Sequence, residues 1–230
     1  MPSPSSSLMS EIAKQALQRI LPPGVSPDPY RTFIADMSGA IAGGFSQWHA
    51  SATLTGVVIN AVTANGGRLI EPPLAPLVLA QAPRDKQWMA YSKAIADGFG
   101  SQFQLFESGV TVPGLPWYPA FAAFPGPAAP PTPNIPIPLM ALSAAGRWHL
   151  DAGSLGPAMQ RKFSHPKPPA ADQIAAAMAV GIEKAVQVWL VSTMVTNVMG
   201  QGPIPTFAPP YVPVGPVVGG IGVQLPGGMI

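Results

Sequence analysis

The chain has no cysteine among its 230 residues. Disulfides, thiolate metal sites and cysteine nucleophiles are therefore excluded. Charge is almost as scarce. Asp, Glu, Lys and Arg make up 10% of the sequence, against roughly 25% in an average soluble domain. So few charges do little to keep molecules apart in solution, and much of the surface is expected to be hidden against other subunits. The net charge of +2 is too small to favour nucleic acid or a membrane surface, despite a pI near 9.0. No basic segment followed by an apolar run opens the sequence, and no uninterrupted apolar stretch of about 20 residues occurs. The best candidate, residues 174–199, contains Glu183, Lys184 and Gln187. A soluble intracellular product is expected.

What the chain has in excess is proline, with 31 residues, and glycine, with 24. That is about a quarter of the sequence, close to the range of low-complexity chains. Disorder is still a poor reading. Disordered chains combine low hydrophobicity with high net charge, whereas 47% of this chain is apolar. Ordered, extended, proline-punctuated segments fit better.

Three segments carry the stripe of an amphipathic helix, with apolar residues four apart drifting to three. The first has Met37, Ile41 and Phe45. The second has Tyr91, Ile95, Phe99, Phe103 and Phe106. The third has Ile174, Met178, Ile182, Val186 and Trp189. Small residues lie between them, among them Gly44, Gly98 and Gly181, which let neighbouring helices approach closely. These stripes predict helices near residues 33–50, 88–106 and 172–190, with Asp172 as the N-cap of the last. A shorter helix is expected over residues 11–20, capped by Ser10.

A β-prone run follows each helix, at residues 53–59, 110–112 and 191–198, and β-branched residues crowd the last of these. Glycine turns are expected at Asn65-Gly66-Gly67 and Gly200-Gln201-Gly202. Proline segments come next: Pro72-Pro73-Leu74-Ala75-Pro76-Leu77 in the first passage and Pro209-Pro210-Tyr211-Val212-Pro213-Val214 in the third. Helix and proline motifs of these two passages share a single offset of 137 positions, the mark of a duplicated supersecondary unit. The expected fold is α+β, built from repeated helix–strand–proline-arm units. Its parts are an N-terminal arm (1–29), unit 1 (30–82), unit 2 (83–143), a charged linker (144–170) and unit 3 (171–230). The proline-rich segments 70–79, 113–139 and 203–230 hold too many prolines for central strands, because each deletes a ladder donor. They are also too apolar for solvated linkers, so they are expected to lie as arms on neighbouring chains, with cover of the chain's own core as the alternative.

Catalytic chemistry is hard to place. The histidines, His49, His149 and His165, show no metal-ligand spacing. His149-Leu150-Asp151 sets an imidazole and a carboxylate on one side of an extended chain, which could orient a general base, but a surface hydrogen bond is far the commoner role of such a pair. Ser154 and Ser164 lack the Gly-x-Ser-x-Gly elbow of hydrolases. Gly219-Gly220-Ile221-Gly222 precedes no helix pattern, so it reads as a turn or kink rather than a phosphate loop. Arg161, Lys162 and Lys167 form a small basic cluster, read as a solvated loop or a contact to a neighbouring subunit. No catalytic, cofactor or metal residues are assigned, and the chain is not expected to be an enzyme. The spacing Pro210-Tyr211-Val212-Pro213 leaves a second class open, an adaptor offering polyproline segments to a partner.

The third passage runs from an alanine-rich helix into Val195-Thr196-Asn197-Val198-Met199-Gly200-Gln201-Gly202-Pro203, then prolines and a glycine-rich end. This texture resembles small structural proteins of tailed bacteriophages and contractile injection systems. The resemblance covers residues 171–230 and, more loosely, 34–79. It implies a virion or phage-like particle component of tail, baseplate, neck or capsid, made in the bacterial cytoplasm. The implied partners are other protein subunits and further copies of the same chain. It brings no catalytic residues with it.

Overall fold

The computed structural model describes residues 3–206 and 215–230. The fold is α+β. All three apolar stripes form long helices: α2 (Asp28–Ser51), α4 (Met89–Ser108) and α6 (Ala171–Ser192). The helix expected over 11–20 begins earlier, as α1 (Ser6–Ile20), and Ser5 rather than Ser10 caps it by accepting from the Leu8 N–H. Ser10 is instead buried within the helix. Asp172 lies in the first turn of α6 rather than at its N-cap, and its carboxylate takes an ion pair from Lys167. α6 is long and apolar enough to cross a membrane by length and composition alone, and most of it is buried.

Two shorter helices complete the set, α3 (Leu74–Gln81) and α5 (Ala152–Gln160). α3 corrects the expectation of an extended arm at residues 70–79. Pro76 is the third residue of α3. N–H groups in the first turn have no intrahelical acceptor, so a proline there removes nothing. The Pro-Pro-x-x-Pro spacing therefore opens a helix. Its counterpart at residues 209–214 lies outside the described residues.

The strands are β1 (Thr53–Asn60), β2 (Thr63–Ile70), β3 (Val112–Leu115), β4 (Ala128–Pro133), β5 (Ile137–Pro138), β6 (Met194–Val195), β7 (Val198–Pro203) and β8 (Val218–Gln224). Six of them form one antiparallel sheet in the order β3-β2-β1-β8-β7-β4, and β5 pairs with β6 separately. Three times the chain passes from a long helix into extended structure. Its contacts gather these stretches into two units. Residues 1–49, 72–107 and 145–191 form a helical unit. Residues 50–71, 108–144 and 192–230 form a strand unit. Each consecutive segment expected from the sequence (30–82, 83–143 and 171–230) contributes to both.

In the helical unit the three stripes meet at aromatic rings. Phe45 of α2 lies 5.7 Å from Phe99 and 5.0 Å from Phe103 of α4, and 5.1 Å from Trp189 of α6. The glycines between the stripe positions each admit a short helix. A Cβ on Gly44 would lie 2.7 Å from the Val78 side chain of α3. One on Gly98 would lie 2.5 Å from Met159 Cα of α5, and one on Gly181 2.4 Å from the Met9 carbonyl of α1.

In the strand unit, Tyr118 lies against the inner face of the sheet. Its hydroxyl donates to the Val198 carbonyl at 2.8 Å, and a Cβ on Gly200 would fall 2.5 Å from its ring. Gly200 and Gly202 are thus strand residues rather than a turn. Asn65, Gly66 and Gly67 likewise lie inside β2. The β1–β2 turn falls at residues 61 and 62, with Ala61 at φ 49.

Two further expectations are corrected here. Trp117, Tyr118 and Phe121, from the proline-rich segment 113–139, are buried within the chain itself. Residues 203–230 include β8, the fourth strand of six, so this segment is not simply an arm. The run 217–224 contains no proline, a gap that disappears when prolines are averaged over the whole segment. Val191 belongs to α6 rather than to a strand.

Two glycines in long helices should respond oppositely to alanine. Helix propensity alone favours Ala over Gly by roughly 1 kcal/mol. At Gly39 no atom lies within 4 Å of an added Cβ, so Gly39→Ala should stabilise by up to about 1 kcal/mol. At Gly98 the added Cβ meets the backbone of Met159. Overpacking costs of about 1–3 kcal/mol then outweigh the propensity gain, and Gly98→Ala should destabilise. Urea unfolding of both variants checks the pair of signs.

Candidate interaction surface

Side chains alternate across the two faces of the sheet over residues 57–60 of β1 and 219–224 of β8, as strands do. In β1, Leu54, Val57 and Ile59 point inward and Val58 outward. In β8, Gly220, Gly222 and Gln224 are buried, while Ile221 and Val223 face out. The register places Val58 opposite Ile221, and Met199 of β7 opposite Val223. The outward face therefore carries a central apolar group on three adjacent strands. Val58 is 47% exposed, Ile221 55% and Val223 44%. Ordinary monomers rarely leave contiguous apolar groups uncovered.

Around this group the strand unit is almost without charge. Of the chain's 12 basic and 10 acidic residues, only Arg68 and Glu71 fall in residues 50–71, 108–144 and 192–230. All the others, and all three histidines, belong to the helical unit. Glu71 is itself ill-placed as a charge. Its Oε2 is buried without a hydrogen-bond partner, and burial raises its pKa above the ordinary carboxylate value.

The edges of the sheet are proline-bearing. β3 contains Pro113, and β4 contains Pro130, Pro131 and Pro133. Buried amides supply hydrogen bonds near these proline-rich stretches. Asn134 Oδ1 accepts from the Val198 N–H at 2.9 Å, and its Nδ2 donates to the Val195 carbonyl at 3.1 Å. Gln224 Oε1 accepts from the Leu54 N–H, and its Nε2 donates to the Thr196 carbonyl, each at 3.0 Å.

The residues weighed for chemistry are scattered. His149 and Asp151 do not pair. His149 Nδ1 lies 3.2 Å from Gln102 Oε1, and its ring packs 3.6 Å from that of Trp148. Asp151 stands at the N-cap of α5, and Ser154 Oγ donates to the Trp148 carbonyl. The α5 N-terminus is held by Glu183, whose Oε2 accepts from the Ala152 N–H at 3.0 Å. Burial by itself would raise the Glu183 pKa. Hydrogen bonds from Lys184, Ala152 and Gln187 and the Lys184 charge outweigh it, and the pKa is lowered. Arg161 and Lys167 line an open cleft of about 430 Å³ with His165 and Phe163. The charge of Lys167 is matched by Asp172 at 2.6 Å. The glycine run 219–222 is part of β8, where Gly222 lies 3.2 Å beneath the Tyr118 hydroxyl at its would-be Cβ. Pro210-Tyr211-Val212-Pro213 lies outside the described residues. Among the described residues no group of three or more His, Asp or Glu is placed to hold a metal ion.

Sequence reasoning passed over His49. It is fully buried near the C-terminal end of α2, 6.5 Å from the Trp189 ring, and neither ring nitrogen has a hydrogen-bond partner. In the same aromatic cluster, the Trp48 indole N–H donates to the buried Glu107 carboxylate. A histidine at i+4 from Phe45 continues the apolar stripe, and that position was the only available signal. Burial lowers its pKa below the ordinary 6.5, so the folded protein holds it neutral. The unfolded chain takes up its proton first as the pH falls. Stability should therefore decline from about pH 6.5 down to the lowered folded pKa. The Glu183 contribution is present above pH 4.5 and is lost below it, through the depressed folded pKa. His49→Leu should abolish the upper decline and leave the lower one, as thermal melts of both proteins between about pH 7.5 and about pH 2.5 would show.

Comparison of the chain with protein-family models, with curated proteins and with solved structures gives no match.

Proposed function

We propose that this chain is a non-enzymatic structural subunit of a larger protein assembly, of the kind found in bacteriophage virions and phage-tail-like particles. The observation that carries this reading is the distribution of charge. A strand unit with one acid and one base exposes apolar side chains at the centre of its sheet. Such a surface is costly in water and becomes favourable when covered, at roughly 25 cal/mol per Å² of apolar area. Interface cores are depleted in charge in the same way.

The placement of the polar residues favours structure over catalysis. His149 turns to Gln102 rather than to Asp151, and the buried His49 and Glu107 sit among aromatic rings. The same reading treats the three passages from long helix to extended chain as copies of one unit. In its favour, Gly44, Gly98 and Gly181 occupy corresponding stripe positions and each receives a short helix. Residues 203–230 remain a candidate for contact with neighbours. Cutting the chain after Gly202 would be a poor test of that role, because it also removes β8 from the middle of the sheet.

Mass spectrometry of particles purified from the source organism tests the reading directly. The chain should be found in them in multiple copies per particle. Its absence from every large assembly in the cell, together with a monodisperse monomer at high concentration in vitro, would sink the proposal.

A further inference from the structure

The outward face of the six-stranded sheet is apolar, exposed and uncharged at its centre, and it selects its own partner. We infer that it docks on the same face of a second copy of this chain, with β8 of one copy crossing β8 of the other about a two-fold axis. The inference rests on the assembly reading above and names one contact within it.

Charge argues for a second copy. A two-fold axis brings the groups closest to it near their own duplicates, so a charge at the centre of the face would meet a like charge. Among the strands of this sheet only Arg68 is charged, and it lies on β2, away from β8. A partner with charged groups would have to bury them here without counter-charges, at a large desolvation cost. A copy of the same face brings none to the axis. The two apolar pairs, Val58 with Ile221 and Val223 with Met199, both include β8, so self-docking places the apolar groups at the middle of the contact.

The edges argue against the alternative way for sheets to associate. Edge-to-edge pairing needs free N–H groups along the outer strands. Prolines in β3 and β4 remove several of them. The face remains. Sheets packed face to face lie about 10 Å apart, with their strands rotated by roughly 30°, an arrangement open to two copies of one twisted sheet.

Area sets the strength. Four strands of about seven residues, at a rise of about 3.3 Å and a spacing of about 4.8 Å, cover about 450 Å² per copy. Roughly 900 Å² in total is at the small end for a specific contact. The isolated pair should therefore be weak and concentration-dependent, and should become stable where several contacts act together in one particle.

Sedimentation velocity over a concentration series tests the contact, using the native chain, the double variant Ile221→Lys with Val223→Lys, and Val188→Lys. Val188 is as exposed, at 57%, but lies on α6 of the helical unit. The native chain and Val188→Lys should associate alike, while the double variant should need at least roughly tenfold higher concentration, as expected for charging the centre of an interface. Because the chain has no cysteine, a milder probe is also clean. Val223→Cys should form a disulfide-linked dimer on oxidation, and Val188→Cys should not. Cysteine at 223 keeps the probe informative if the lysines disturb folding. Equal association of the native chain and the double variant, with no cross-link through position 223, would overturn this face and leave the assembly reading standing. A native chain that stays monomeric would overturn self-docking. So would one that binds vesicles of neutral phosphatidylcholine through the same residues, which would make lipid the occupant instead.

Discussion

Three long helices of this chain must share one set of aromatic rings. Phe45 is in contact range of Phe99, Phe103 and Trp189, so α2, α4 and α6 cannot drift apart without opening the same cluster. An aromatic side chain buries about 150–250 Å², roughly 4–6 kcal/mol of transfer free energy per ring at 25 cal/mol per Å². That gain outweighs the roughly 1 kcal/mol lost to each helical glycine. Gly44, Gly98 and Gly181 in turn let α3, α5 and α1 close over the long helices at backbone contact. The helical unit is thus specified by where bulk is present and, one position away, by where it is missing. His49 and Glu107 are carried in this apolar setting. The first lacks hydrogen-bond partners and is held neutral by burial, and the second accepts from Trp48.

The strand unit solves a different problem, that of building a sheet from sequence rich in proline. A proline in a strand removes a donor and is tolerated at edges. The order of strands obeys this rule: β3 and β4, with four prolines between them, take the two edges. β1, β2 and β8, which have none, lie within it. The bends between strands still leave backbone groups to satisfy. Asn134 and Gln224 do so with buried side-chain amides, each both donating and accepting. The aromatic cover comes from the proline-rich segment itself, through Trp117, Tyr118 and Phe121.

This contrast explains which parts of the fold were legible in the sequence. The helices were, because a four-residue spacing of large apolar side chains has one structural meaning, and the interspersed glycines could be assigned to close packing. The sheet was not. Gly66, Gly67, Gly200 and Gly202 look like turn residues when read locally. Gly200 is in fact small because Tyr118 lies over it, and Tyr118 is 82 positions away in sequence. Pro76 looked like part of an extended arm because proline interrupts helices in their interiors, though not in their first turn. β8 escaped notice because its inner face uses glycine where most strands use valine. The surface at the centre of the sheet was foreshadowed only in composition. The scarcity of charge was visible, but its concentration into one unit depends on how three separated stretches of chain come together.

That segregation has a physical consequence of its own. Interactions among exposed charges weaken with salt over a Debye length of about 8 Å at physiological ionic strength, and they shift as groups titrate. A surface built from Val58, Ile221, Val223 and Met199 is subject neither to that screening nor to titration. The helical unit holds every histidine and all but two of the charged residues, so it carries nearly all of the chain's sensitivity to pH and ionic strength. A chain arranged this way can vary in helical stability with its surroundings while the proposed sheet contact keeps the same apolar character. Hydrophobic association gains from the salting-out ions that screen charge pairs. The scarcity of charge at the sheet is therefore consistent with a contact meant to persist, and it leaves electrostatic adjustment to the part of the chain where charges can be solvated.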